Sequence, residues 1–319
     1  MRRIRLLILL IFPVLIAKSQ ISIQLNPQQH FSKTIPAGNY SGIAWLGDSY
    51  YAVVSDKSDH DGFFVFDIRV DSLTGVIRSA KNLGFLGSDK PGRDDEGIAF
   101  LQERNTLMVS GEIVNHIVEF DRKGCYTGRV TSWPDSLGIL PVNKGLEALT
   151  YNDSDHHLWT CNESAPIRLV EYDSLLHVCR IVPYELSAAT ISPHNGAFYT
   201  FGVPSLCALN GDSILVLERE AYVPKMKVGA MVRCKLFCFN LRTGEKTLLA
   251  NWQTNMKLFD HSFANYEGMC LGPKLVGGRR LLILIADSQG QYAGVLRDWL
   301  KTAVLVEGVS AGNPQRNGQ

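Results

Sequence analysis

The sequence lacks the short motifs that mark many common catalysts. It has no G-x-S-x-G elbow, which sets aside an α/β-hydrolase serine, and neither a P-loop nor an H-E-x-x-H, which sets aside those nucleotide and zinc-peptidase sites. No C-x-x-C pair occurs, so cysteine spacing offers no metal knuckle. Charge of one sign is missing as well. Lys and Arg number 32 against 31 Asp and Glu, a net charge of +1 with no basic tract or acidic tail, and no nucleic-acid partner is expected. Helical periodicity is nearly absent, residues 294–305 being the one ambiguous stretch. After the N-terminus no apolar run is long enough to cross a membrane.

What is present is the composition of a soluble globular protein with a large core, 45% hydrophobic and 20% charged over 319 residues. The chain opens with Arg2, Arg3 and Arg5, then an apolar run from Leu6 to Ala17, with small residues at Ala17 and Ser19. That order predicts a secretory signal peptide over 1–19 and a periplasmic or secreted product. The run is about 12 residues, where a span needs roughly 20. No cysteine stands near the cleavage point to carry a lipid. One domain over 20–310 and a disordered tail over 311–319 are expected, as a monomer.

Seven cysteines leave at least one free thiol. Cys234 and Cys238 fall on one face of a strand and read as buried apolar residues. His156-His157 sits in an expected hairpin turn and reads as a solvated loop, not a metal site. Tyr40, Tyr199 and Tyr266 read as buried aromatics.

The strongest signal is a repeat. "SGIAW" (41–45), "DEGIAF" (95–100), "LEALTY" (146–151) and "YEGMCL" (266–271) share one form, with a weaker copy in "SLCAL" (205–209). Each is followed by an apolar strand ending in an acid: "AVVSDK", "LMVSGE", "LWTCNE", "ILVLER" and "LILIADS". Taking Ser41, Glu96, Glu147, Ser205 and Glu267 as equivalent, the offsets to Asp56, Glu112, Glu163, Glu218 and Asp287 are 15, 16, 16, 13 and 20 residues. Further alternating strands follow each pair, for instance around the turn at Thr243-Gly244. Tandem four-stranded units of this length predict an all-β fold, a β-propeller of five or six blades, a sixth being sought in residues 182–205. "ISIQL" (21–25) is expected to pair with "TAVLVEG" (302–308) and close the ring.

In a propeller the innermost strands line a central channel, so equivalent acids converge at one mouth. The first elements supply Asp95, Glu96, Glu147 and Glu267, and the second supply Asp56, Glu112, Glu163, Glu218 and Asp287. Asp94 has no counterpart in the other copies and is set aside. Like charges held close repel, and burial makes that worse. Such a ring calls for hard cations, Ca²⁺ being suited, for basic partners, here Lys57, Lys144 and Arg219, or for protonation of some of the acids. Metal with Lys and Arg suits a small anionic substrate such as a phosphate ester. The same acids also fit ion pairs that only tie blades together.

At these motifs, together with "SDK", "SGE", "NKGLEALT" and "YEGMCLGP…GRRLLILIADSQGQ", the sequence resembles the phytase-like family, esterase-like activity of phytase, over about residues 38–308. The resemblance implies an exported β-propeller with phosphoesterase or phytase-like hydrolysis. It implies polar site positions at Asp56, Glu96, Glu112, Glu147, Glu163, Glu218, Arg219, Glu267 and Asp287. Where relatives often read acid-acid-Asn, this chain has Asp287-Ser288-Gln289. From these strands the catalytic candidates are Glu96, Glu147, Glu267, Arg219 and Lys144. Two alternatives stand beside hydrolysis of phosphate esters: a non-catalytic ligand-binding or scaffolding propeller, and a Ca²⁺-dependent lactonase or carboxylesterase.

Overall fold

A computed structural model describes residues 21–141, 144–257, 259–291 and 296–307; the expected signal peptide and tail lie outside them. Strands β1 (Ile21–Leu25) and β2 (Gln29–His30) come first. Blade 1 is β3 (Tyr40–Gly47), β4 (Tyr50–Ser55), β5 (His60–Val70) and β6 (Ile77–Pro91). Blade 2 is β7 (Asp95–Leu101), β8 (Thr106–Gly111), β9 (His116–Asp121) and β10 (Tyr126–Ser132). Blade 3 is β11 (Leu146–Asn152), β12 (His157–Asn162), β13 (Ile167–Tyr172) and β14 (Val178–Tyr184). Blade 4 is β15 (Phe198–Asn210), β16 (Ser213–Val223), β17 (Ala230–Asn240) and β18 (Lys246–Lys257), with a short β19 (Asp260–His261) at its edge. Blade 5 is β20 (Asn265–Lys274), β21 (Arg280–Asp287) and β22 (Trp299–Glu307), joined by β1 and touched by β2.

The fold is therefore a five-bladed β-propeller, every strand pairing antiparallel within its blade. The sixth blade sought in residues 182–205 is not there: this stretch holds the end of β14, a strand-free connection and the start of β15. The ambiguous 294–305 stretch becomes strand from Trp299 onward, with 292–295 outside the described residues. β1 runs antiparallel to β22, Ile21 opposite Glu307 and Leu25 opposite Ala303. Among the described residues no helix is long and apolar enough to cross a membrane.

Strand composition follows position in the blade. Second strands are covered on both faces and read as continuous apolar runs, as in β8 and β21. Outermost strands β10 and β14 are largely exposed or half-buried, and their sequences mix polar and apolar residues. Five hydrophobic clusters fill the spaces between successive blades. The seam of the last blade with the first is one of them, built from Tyr40, Ile43 and Val53 against Leu281, Ile283 and Val304. Each such side chain contributes about 1.5–3 kcal/mol on burial, so apolar packing dominates the inter-blade contacts.

The small residue of the repeat has a steric cause. A Cβ on Gly42 would sit 2.6 Å from the Glu96 carbonyl oxygen, and one on Gly97 would sit 2.7 Å from that of Glu147. Innermost strands of neighbouring blades approach too closely there for a side chain. The throat they form is nearly filled, with a cavity of ≈ 10 Å³ lined by Gly42, Gly97, Ala148, Pro204 and Gly268.

Candidate functional site

The acids reach the mouth through β-bulges. The ladder between first and second strands slips at Tyr40/Gly42, Asp95/Gly97, Leu146/Leu149, Gly202/Ser205 and Tyr266/Gly268. A bulge leaves a residue out of the ladder and re-aims it. In blades 1, 2 and 5 that residue is Ser41, Glu96 or Glu267, and Glu147 lies within the blade 3 slip. The second acids follow two positions after the partner of the motif's small residue. Gly42 faces Val54, Gly97 faces Ser110 and Gly268 faces Ile285, which places Asp56, Glu112 and Asp287 at equivalent strand ends.

The same register corrects blade 4. Ser205 faces Leu217, so Ser205 corresponds to Gly42 and the residue two beyond Leu217 is Arg219, not Glu218. Pro204, not Ser205, takes the place of Glu96. The spacing carried the signal: 13 residues from Ser205 to Glu218 is out of step, and 15 from Pro204 to Arg219 restores it. Successive residues of a strand point to opposite faces, so Glu218 turns away from the mouth. It is fully buried at the blade 3–blade 4 seam, where it accepts from the Tyr184 hydroxyl at 2.8 Å and the Ser187 N–H at 3.0 Å and pairs with Lys246. Glu220, on the same face, accepts from the Ile191 N–H at 2.7 Å and the Tyr199 hydroxyl at 2.9 Å. The two glutamates lash the 185–197 connection to blade 4.

Asp95 is likewise outside the mouth. It is buried beneath it with Asp61, the two sharing Arg93 at 2.9 Å and 2.6 Å, while Tyr126 donates to Asp61. Burial, and then Asp61, push the Asp95 carboxyl well above its usual range against the pull of Arg93. Lys144 is exposed at the rim, its Nζ 3.2 Å from the Ser164 hydroxyl.

Mutual repulsion links Asp56, Glu96, Glu112, Glu147, Glu163, Glu267 and Asp287 at the mouth, and Arg219 stands beside Glu147, Glu163, Glu267 and Asp287. Arg219 is 5% exposed and pairs with Glu163 at 3.1 Å and with Glu267, while its Nη1 donates to Asn265 Oδ1 at 3.0 Å. Burial opposes its charge, but Glu267, Glu163 and Glu147 outweigh that and hold the guanidinium firmly protonated. Asn265 also donates to Glu267 at 2.7 Å. Sequence reading missed Asn265, although in "NYEG" it lies two residues from Glu267 and hence on the same face.

On the other side the acids have little cover. Lys57, with a side chain 60% exposed, reaches Asp56 at 3.1 Å and Asp94 at 3.6 Å. Asp94, set aside in the sequence, thus belongs to the rim; its left-handed backbone (φ 52°) turns the chain into β7. Glu112 accepts from the Gly145 N–H at 2.8 Å. The buried Asp56 Oδ1 has no partner.

Electrostatics register the crowding. Burial first, then Glu147 and Glu267, raise the Glu96 carboxyl well above its ordinary range. Burial and Glu163 do the same to Glu147, against Arg219. Burial and Asp287 raise Glu267. Asp287 is pushed up to about 6 by burial, although the Gln289 N–H donates to it at 2.7 Å. Asp56 and Glu112 are raised as well, again chiefly by burial. The donor set is all oxygen, which fits Ca²⁺ or a similar hard cation, and the orphaned Asp56 Oδ1 is a free ligand atom for one. Among the described residues no three of these carboxylates bring ligand atoms within 4.8 Å of one another, so the ring is wider than a single-ion cage.

In comparison with known proteins, the phytase-like family, described as esterase-like activity of phytase, matches residues 35–289. Among curated proteins no sequence matches. A tail fibre of a Staphylococcus aureus phage is similar in structure at 12% identity and a TM-score of 0.46, over 89% of this chain and 52% of that one. A DUF4221 family member from Bacteroides vulgatus gives 10% identity and a TM-score of 0.45 over 92% of this chain and 100% of that one. A calcium-binding protein, regucalcin, from Agrobacterium tumefaciens gives 17% identity and a TM-score of 0.31 over 56% and 68%. Likenesses this loose carry no functional argument.

Proposed function

This chain belongs to the phytase-like family, and from that premise we propose that its mouth is a divalent-cation site at which a small phosphate ester is hydrolysed, in an exported protein. The observation that carries the reading is the convergence of Asp56, Glu96, Glu112, Glu147, Glu163, Glu267 and Asp287, with Arg219 and Lys57 the cations paired to them among the described residues. A mouth so acidic repels a phosphate until cations cover it.

On this reading the ions sit on the side that lacks a buried cation, where Asp56, Glu96 and Glu112 supply at most two carboxylates to any one ion and water the rest, with Glu147 and Asp287 at the flanks. A bound divalent ion supplies charge for phosphoryl oxygens and a more acidic water. Arg219 is a positioning residue: its two nitrogens fix Glu163 and Glu267. Lys57, exposed at the rim, offers the ammonium for an incoming anion. Glu96 sits among Glu147, Glu267, Asp56 and Glu112 and is the carboxylate whose crowding a bound cation would relieve most.

The test pairs a thermal shift with an assay. Ca²⁺ should raise the melting temperature of the EDTA-treated protein, and the metal-loaded protein should hydrolyse phosphomonoesters. No turnover in spite of a Ca²⁺ shift leaves a ligand-binding propeller; no shift with any divalent ion removes the metal site itself.

A further inference from the structure

A second cluster lies at the end of blade 3 where β12 begins, opposite the end that carries Glu163. His157, expected from the sequence in a solvated turn, instead opens β12 half-buried, Glu171 is in β13 and Cys179 is in β14. One ligand atom from each lies within 4.8 Å of the others. We propose that these three side chains bind one zinc ion, with the fourth position open to water.

The backbone explains how they meet. The β13–β14 ladder pairs Glu171 with Arg180 and Tyr172 with Val178, leaving Cys179 as the extra residue of a bulge. A bulge opposes two residues to one and re-aims the extra side chain, so Cys179 and Arg180 both converge on Glu171. Cys179 Sγ lies 3.5 Å from the Glu171 carbonyl oxygen. His157 Nδ1 is 2.9 Å from Glu171 Oε1. Two ligands held at ~2.0 Å by a tetrahedral ion sit about 3.3 Å apart, so the imidazole–carboxylate pair needs little change and the thiol a short approach.

Arg180 is the obvious objection, being a cation 2.7 Å from Glu171 Oε2. It engages the other carboxylate oxygen, and its guanidinium lies 5.0 Å from the Trp159 ring centre. It therefore holds Glu171 in orientation, as an outer partner holds a ligand, and leaves Oε1 for the ion. The donor set of N, O and S suits Zn²⁺ and not Ca²⁺. On binding, Zn–N, Zn–O and Zn–S bonds form, the thiol proton leaves to solvent and the imidazole proton resides on Nε2; nothing is oxidised or reduced. Glu171 is buried and Cys179 exposed, so the site is reached from solvent without opening the blade.

The experiment is a titration of the full chain, kept reduced, without EDTA and in excess Ca²⁺ to occupy the mouth, with Zn²⁺ by calorimetry and with Co²⁺ by absorption. A single site with a thiolate-to-cobalt charge-transfer band is expected. Cys179→Ser should abolish the band, and His157→Gln should weaken Zn²⁺ binding by about tenfold or more. Glu96→Gln, in the mouth, should leave both unchanged, which separates this site from the first. Zinc affinity equal in wild type and Cys179→Ser, or Co²⁺ binding without a thiolate band, overturns the proposal. So does a loss of the signal in Glu96→Gln alone.

Discussion

The two sides of the mouth are made from the same repeat, and blade 4 departs from it at two positions, Pro204 standing where blade 2 has Glu96 and Arg219 where it has Glu112. On the blade 4 side the equivalent of Asp56 and Glu112 is Arg219, and it neutralises Glu163 and Glu267 by direct contact. On the blade 1 and 2 side, the exposed Lys57 is the cation at Asp56 among the described residues, and the other cover is neutral, a side-chain hydrogen bond from Asn39 to Asp56 and the Gly145 N–H to Glu112. One side is locked internally; the other is left to a ligand. A repeat protein can thus turn part of a symmetric ring into scaffold and part into site by changing the charge at two positions.

Breaking the locked side should have the largest effect. Arg219→Gln leaves Glu163 and Glu267 buried without their cation and should cost about 3–5 kcal/mol, read by urea unfolding. Next comes a pH effect at the boundary between the two sides, where Asp287 feels both Asp56 and Arg219. Asp287, pushed up to about 6, keeps a proton when folded that the unfolded chain has released. Its contribution is fully present below the unfolded value near 4 and is lost as pH rises through 6. Stability in EDTA should fall on the order of 2–3 kcal/mol over that interval, and Asp287→Asn should flatten this part of the profile.

Glu218→Gln tests the blade 4 register. It should lower stability by about 1–3 kcal/mol through lost charged hydrogen bonds at the seam, yet leave the Ca²⁺ response intact. Were Glu218 in the ring, the response would fall with it. The open side should behave in the opposite sense. Glu96→Gln removes a repelling charge, so in EDTA the protein should be as stable as wild type or more so. Its calcium stabilisation, about 2.7 kcal/mol at a hundredfold excess over Kd for an intact site, should shrink toward zero. Smallest is Lys144→Ala, an exposed rim residue, expected within about 0.5 kcal/mol of wild type; a large loss of turnover there would assign it to the substrate.

Much of this was legible in the chain. The five first strands and the five that follow them coincide with the repeated motifs, because an innermost strand needs a small residue at the throat and its neighbour needs continuous apolar cover. The acidic mouth was legible for the same reason, equivalent positions in a ring having to converge. The errors lay where one residue of register decides the face. Glu218 and Arg219 are adjacent, as are Asp95 and Glu96, and in each pair one faces the mouth and the other a blade seam. Asp94 was overlooked because a single left-handed residue, not the repeat, carries it to Lys57.

By itself, then, the sequence determined that the protein is built of repeated antiparallel strands with acids at their ends, since hydrophobic alternation and spacing are local properties of the chain. Tertiary structure decided which acids meet, because bulges and cross-strand register set side-chain direction and are fixed only when blades pack. It also decided that Arg219 divides the ring, and that His157, Glu171 and Cys179, scattered over three strands, come within reach of one ion.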